Sequence, residues 1–228
     1  TYLLDEVAPL VESRFRCLPA PDGWGVMGKS SGGYGALVHG MKHPERFSAI
    51  ACHSGDLYFE YCYGCDFPKA ARTLEVRGGV AGFLGWFDGL VKKTNDALPT
   101  LNIVAMAACY SPRQPHPGPG AADLGIELPF SLPSARIRDE VWSRWLAHDP
   151  VRMQDRYADT LATRKLLFLD CGTRDEFHLQ FGARIFVDGL RARGICHRHE
   201  EFDDSHMNIS YRYDRSLVLL SEALDPRR

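Results

Sequence analysis

The sequence predicts an α/β protein, with a mostly parallel sheet covered by helices on both faces. Three observations carry that prediction. Strand-length apolar runs recur at Trp24–Met27, Phe47–Cys52 and Lys165–Cys171, and Ile195–Phe202 reads as a further strand. Stretches of helical spacing lie between or after them, at Ala36–His43, Glu176–Arg193 and Tyr213–Leu224. The run Lys165–Cys171 is continuously apolar rather than alternating, which suits a strand buried on both sides.

Taken in order, Tyr2–Phe15 sets Leu3, Val7, Leu10 and Val11 at helical spacing, with Asp5, Glu6, Glu12 and Arg14 on the other face. Pro9 must lie near the start of that helix or kink it. Pro19–Gly23 is a turn cluster. The helix predicted over Glu176–Arg193 carries Phe177, Phe181, Ile185 and Leu190, and Gly194 stands where a helix C-terminal glycine belongs. The middle differs. From His53 to about Pro133 regular alternation disappears and Gly, Pro and aromatic residues accumulate. Residues 54–135 are therefore read as a lid-like or loop-rich insertion in one domain spanning 1–228. Gln114–Gly120 is expected to be an extended loop. Periodicity leaves Gly78–Trp86 and Leu101–Tyr110 open between helix and strand. A helical pattern returns with Ile137, Val141, Trp142, Trp145 and Leu146.

A chain of 228 residues, 45% hydrophobic and 25% charged, is long enough to bury a core without a metal or disulfide scaffold. Its formal net charge of −2 offers no electrostatic footprint for nucleic acid or an anionic membrane. No apolar run reaches transmembrane length, and no basic-then-apolar leader opens the chain. Seven irregularly spaced cysteines read as reduced thiols, so a cytoplasmic location is expected. Cys62-Tyr-Gly-Cys65 is a lone C-x-x-C without two further ligands for zinc or the βαβ context of a redox motif. No cofactor or metal is expected.

The chemistry is concentrated at Gly28-Lys29-Ser30-Ser31-Gly32, a G-x-S-x-G motif between a predicted strand and a predicted helix. A serine in that sharp turn is held in a strained backbone with its hydroxyl exposed. The helix N-terminus favours the oxyanion formed when Ser30 attacks a carbonyl, and the Ser31 N–H is the natural first donor. The motif lacks both the Walker lysine-serine ending and G-x-G-x-x-G spacing, which argues against a phosphate site. Ser31 is the rival nucleophile, but it has no glycine two residues ahead.

Serine needs a base, and the base needs an orienting acid. Behind an elbow of this kind the chain order is serine, acid, histidine. Asp175 follows the late strand Lys165–Cys171 in a turn before a helix and is the candidate acid, its other reading being a cap on that helix; Glu176 and Asp170 are its rivals. His206 lies in the polar loop Asp203–Asn208, after the last strand and before the closing helix, and is the candidate base. His197 and His199 alternate along a strand, His39 and His43 lie on the helix after the elbow, and His53 is placed to line a pocket.

Gly28–Leu37, Asp170–Phe177 and Glu201–His206 resemble the putative-esterase family of α/β-hydrolases, which includes S-formylglutathione hydrolases, feruloyl esterases and enterochelin esterase-like enzymes. The resemblance spans most of the chain but not the middle insertion. It implies an α/β-hydrolase fold with Ser30 as nucleophile, Asp175 as acid and His206 as base. It also implies strands ahead of the first helix, and a loop among them bearing the second oxyanion N–H. This chain begins at that helix. Its sheet is expected to lack those strands and to expose an edge, which a separate N-terminal part, a second copy or another partner would cover.

The reading that results is a serine esterase acting on a small-molecule ester through an acyl-enzyme. Acyl transfer to another alcohol by the same residues is the first alternative. A catalytically silent binding or scaffold protein is the second. The aromatic residues Tyr58, Phe59, Tyr61, Tyr63, Phe83, Trp86 and Phe87 are read equally as a pocket wall or as core.

Overall fold

The computed structural model describes residues 2–94, 96–113, 124–225 and 227. Gln114–Gly120, read above as an extended loop, lies outside the described residues. The chain runs α1 (Ala8–Arg14), β1 (Gly25–Lys29), α2 (Ser31–Lys42) and β2 (Ala49–His53). It continues through α3 (Phe59–Cys62), α4 (Phe67–Val76), α5 (Gly79–Asp88), α6 (Ala97–Tyr110), α7 (Asp139–Leu146) and α8 (Pro150–Met153). Then come α9 (Ala158–Ala162), β3 (Leu166–Gly172), α10 (Leu179–Ala192), β4 (Arg198–Phe202) and α11 (Arg212–Ala223). Two compact units result, one of residues 1–56 with 154–228, the other of residues 57–153.

The first unit holds the sheet. Its four strands lie in the order β1-β2-β3-β4 and every pairing is parallel. The two inner strands, Ala49-Ile-Ala-Cys-His53 and Leu166-Leu-Phe-Leu-Asp-Cys-Gly172, are buried almost throughout. Successive side chains point to opposite faces, and both faces are covered, so neither strand alternates in sequence. Ala49, Ala51 and Phe168 form a core cluster with Leu219 and Leu220 of α11. On the other face Ile50 meets α2, where a Cβ on Gly40 would stand 2.2 Å from Ile50 Cδ1, so the helix seats on the strand through a missing side chain.

The edges differ. β4 carries Arg198, His199, Glu200 and Glu201, a charged strand ill suited to pairing with another chain. β1 is Gly-Val-Met-Gly-Lys, uncharged until its last residue, and no strand pairs with its outer side among the described residues.

Three boundaries depart from expectation. The first helix is split: Tyr2–Val7 winds as a π-helix and α1 restarts at Ala8, with Pro9 in its first turn, where a missing N–H costs least. α10 begins at Leu179 rather than Glu176, because His178 takes a left-handed backbone, φ 62°, just ahead of it. β4 begins at Arg198 rather than Ile195, with Arg198 the first residue in register with β3, opposite Phe168.

The second unit is helical over most of its described length, where a lid-like or loop-rich insertion was expected over 54–135. Its core is aromatic. Phe59, Tyr63, Phe67, Phe83, Phe130 and Trp145 are buried. Phe67 packs against Phe130 and Trp142 at ring separations of 5.1 and 5.2 Å, and the Trp145 indole donates to Ser111 Oγ at 2.9 Å. Such rings hide large apolar area and fix their geometry through edge-to-face contact. Of the aromatic residues weighed as pocket wall or core, Phe59, Tyr63 and Phe83 are therefore core.

Candidate active site

The elbow is a single residue. Lys29 ends β1 and Ser31 opens α2, so Ser30 makes the whole turn at φ 58°, ψ −130°. That backbone region is sparsely populated by L-residues and costs on the order of 1–3 kcal/mol. Neighbours hold it in place: the Ser30 N–H donates to the His53 carbonyl at 2.9 Å, and the Ser30 carbonyl accepts from the Tyr34 N–H at 3.0 Å. A Cβ on Gly28 would stand 2.2 Å from the Gly32 carbonyl oxygen, and one on Gly33 would stand 2.9 Å from that of His53. Gly32, the last motif glycine, would meet nothing within 4 Å. Tight packing thus requires Gly28 and Gly33, while Gly32 is sterically free.

Ser31 lies in the first turn of α2, where main-chain N–H groups have no partner inside the helix and the helix dipole is positive. Its hydroxyl donates to Asp56 Oδ2 at 2.9 Å. The rival nucleophile is thus tied to a carboxylate.

Asp175 and His206 are in direct contact. Asp175 Oδ2 accepts from His206 Nδ1 at 2.8 Å, and the two residues are only 2% and 4% exposed. Asp175 does not cap α10. Its Oδ1 instead accepts the Phe177 N–H at 2.9 Å, which closes a tight turn on the acid itself. The Cys171 thiol points at the same Oδ2 atom, 3.7 Å away. Burial pushes that thiol's pKa well up, so it stays protonated and acts as a donor. A carboxylate on Nδ1 fixes the histidine tautomer and leaves Nε2 as the basic nitrogen.

The Asp175 turn and the His206 loop are laced together. Thr173 N–H donates to the Phe202 carbonyl at 2.9 Å and Arg174 N–H to that of Asp204 at 3.0 Å. A Cβ on Gly172 would lie 2.4 Å from the Asp204 carbonyl and 2.7 Å from that of Ser205. Gly172 is thus the residue that lets the two loops touch. Its position at the end of an apolar strand was the available sequence signal.

His53 and Asp170 have another purpose. His53 Nδ1 lies 2.7 Å from Asp170 Oδ1, and its Nε2 lies 2.8 Å from Ser216 Oγ. Arg212 Nε donates to Asp170 Oδ2 at 2.8 Å, and Arg212 also reaches Glu200. His53, Asp170 and Ser216 are buried, so this Ser-His-Asp arrangement has no access to a substrate. It ties β2, β3 and α11 together. Asp170 is excluded as the acid, and His53 does not line an open pocket.

In a parallel sheet the C-terminal ends of all strands share one edge. Ser30 follows β1, Asp175 follows β3 and His206 follows β4, so the three predicted residues rise from that edge. Ligands of open α/β sheets bind there. Cys62 and Cys65 are free thiols, and no cluster that would hold a metal ion occurs among the described residues.

A strained serine between strand and helix, with a bonded Asp–His pair at the same end of a parallel sheet, defines an α/β-hydrolase fold. The model of the family described as Putative esterase matches residues 1–210, and the chain belongs to that family. Two Mycobacterium tuberculosis proteins, Esterase Rv1288 and Esterase MT1326, are each 30% identical to it over 99 residues, 42% of this chain and 22% of theirs. The chain therefore spans about a fifth of the length of these relatives. Among solved structures, a ferulic acid esterase aligns over 98% of this chain and 61% of its own, with a TM-score of 0.54 and 15% identity. An S-formylglutathione hydrolase from Agrobacterium tumefaciens aligns over 98% and 56%, with a TM-score of 0.54 and 17% identity. At such identities the likeness speaks for the fold. No helix among the described residues is long and apolar enough to cross a membrane.

Proposed function

We propose that this chain hydrolyses a carboxylic ester through an acyl-enzyme, with Ser30 as nucleophile, His206 as general base and Asp175 as the orienting acid. The observation that carries the reading is the 2.8 Å contact between Asp175 and His206, at the sheet edge where β1 ends in the strained Ser30. His206 Nε2 takes the Ser30 proton as Oγ attacks the ester carbonyl, and the Ser31 N–H receives the oxyanion. His206 then protonates the leaving alcohol. Water, deprotonated by the same nitrogen, attacks the acyl-enzyme and releases the acid. Asp175 holds the tautomer and stabilises the imidazolium at each step.

The second oxyanion donor and the cover for the β1 edge are assigned to one source: a strand-bearing segment paired with that edge, from a preceding part of a longer protein, a second copy or another partner. Seven free thiols fit a reducing, cytoplasmic setting. Family membership supports an ester or thioester as the substrate class.

Nitrophenyl esters of increasing acyl length test the reading. Turnover that is lost in Ser30→Ala and retained in Ser31→Ala is the expected result. Turnover unchanged in Ser30→Ala would overturn it.

A further inference from the structure

We propose that Glu176 is a positioning residue for His206, an inference that rests on the esterase reading of the site. Glu176 Oε2 accepts the main-chain N–H of His206 at 2.8 Å. Asp175, its neighbour in sequence, holds the imidazole through Nδ1 at 2.8 Å. Phe177, the next residue, sets its ring edge-on to the imidazole at 4.9 Å. Three consecutive residues thus fix the main chain, the ring nitrogen and the ring face of one histidine.

The bond to Glu176 matters because His206 lies outside any helix or strand. The flanking main chain is anchored elsewhere: Thr173 N–H donates to the Phe202 carbonyl at 2.9 Å, and Arg174 N–H to the Asp204 carbonyl at 3.0 Å. Those bonds hold the loop to the acid turn whether or not Glu176 is present. The N–H of His206 itself, a buried residue, is directed at a side-chain carboxylate, and a bond to a charged acceptor is shorter and stronger than one to a carbonyl. Glu176 is exposed and its removal opens no cavity. Its loss is expected to loosen the histidine without unfolding the chain.

The test compares wild type, Glu176→Ala and Glu176→Gln, with Ser30→Ala as the activity blank. Small displacements of catalytic groups are costly, so Glu176→Ala should lower kcat roughly ten-fold with KM nearly unchanged. Its thermal midpoint should fall by a few degrees at most, leaving the chain folded at the assay temperature. Glu176→Gln keeps an oxygen acceptor and should recover most of the rate. Amide hydrogen exchange at His206, followed by NMR, should speed up in the alanine variant and stay slow in the glutamine variant. Wild-type kcat in Glu176→Ala, a loss confined to KM, or no recovery by glutamine would overturn the proposal. If wild type itself shows no Ser30-dependent turnover, the esterase reading fails separately. The exchange measurement then decides: unaltered His206 exchange in Glu176→Ala overturns the positioning role, and accelerated exchange supports it.

Discussion

Asp175 Oδ2 lies 2.8 Å from His206 Nδ1, and both residues are almost wholly withdrawn from water. A carboxylate so placed does more than attract a positive charge. It decides which imidazole nitrogen carries the proton, and so which one is free to act as base.

Asp175→Asn tests that directly. The amide keeps the shape and the bond to the Phe177 N–H, but it can present an N–H to Nδ1 and so favours the wrong tautomer. A fall in kcat of about three to four orders of magnitude is expected, with much smaller change in KM. Steady-state kinetics on a nitrophenyl ester reads it, and a loss of less than ten-fold would contradict the assigned role.

Gly28 and Gly32 should behave in opposite ways although both belong to the G-x-S-x-G motif. A methyl group on Gly28 meets the Gly32 carbonyl at 2.2 Å, whereas one on Gly32 meets nothing. Gly28→Ala should abolish turnover. Gly32→Ala should retain it and gain up to about 1 kcal/mol of stability from the better helix former. Activity and denaturant melts on the two variants separate a packing requirement from a motif requirement.

Asp170 supports the fold rather than the chemistry. Asp170→Asn leaves His53 and Arg212 facing a neutral amide in a buried site. Breaking one partner of a buried ionic network costs about 3–5 kcal/mol. Ser216→Ala removes one neutral bond to His53 and should cost about 1 kcal/mol. Thermal or denaturant unfolding gives both values, and equal effects from the two variants would count against this network.

The helical unit contains a pH-dependent contact. Glu127 is bonded by Arg144, and Arg138 approaches it at 3.2 Å; the Arg144 bond first, then Arg138, holds its carboxyl below the usual range. A carboxylate with a lowered folded pKa stabilises the native state in full above its unfolded value, about 4.3. That contribution is lost as pH falls through the lower folded value. Glu127→Gln should melt slightly below wild type at pH 7, a small gap for a partly exposed pair. The gap should close in strong acid, and one that widened there would contradict the assignment.

Ser30, Asp175 and His206 could be proposed from sequence because each sits in a local signal: a glycine-flanked serine after a strand, and polar turns after two later strands. β2 and β3 were readable for a similar reason, since burial on both faces leaves an unbroken apolar run. The His53–Asp170–Ser216 network was not, because its members stand 117 and 163 residues apart and nothing local joins them. Phe177, paired with Phe181 inside α10, extended that helix's pattern too far. They repeat at helical spacing, yet both are exposed, and the left-handed turn at His178 falls between them. In the middle segment, α5 and α6 are apolar on most sides, so no polar stripe marks their period. Rings such as Phe67 and Trp145 find one another across 78 residues of chain, a relation that periodicity does not encode.

The central claim is that Ser30 is the activated nucleophile, and covalent labelling with a fluorophosphonate tests it most directly. Intact-mass and peptide-mapping spectrometry on wild type should show one adduct, on Ser30. Labelling should vanish in Ser30→Ala, slow sharply in His206→Ala and persist in Ser31→Ala. An adduct on Ser31, or labelling that survives in Ser30→Ala, would contradict the account.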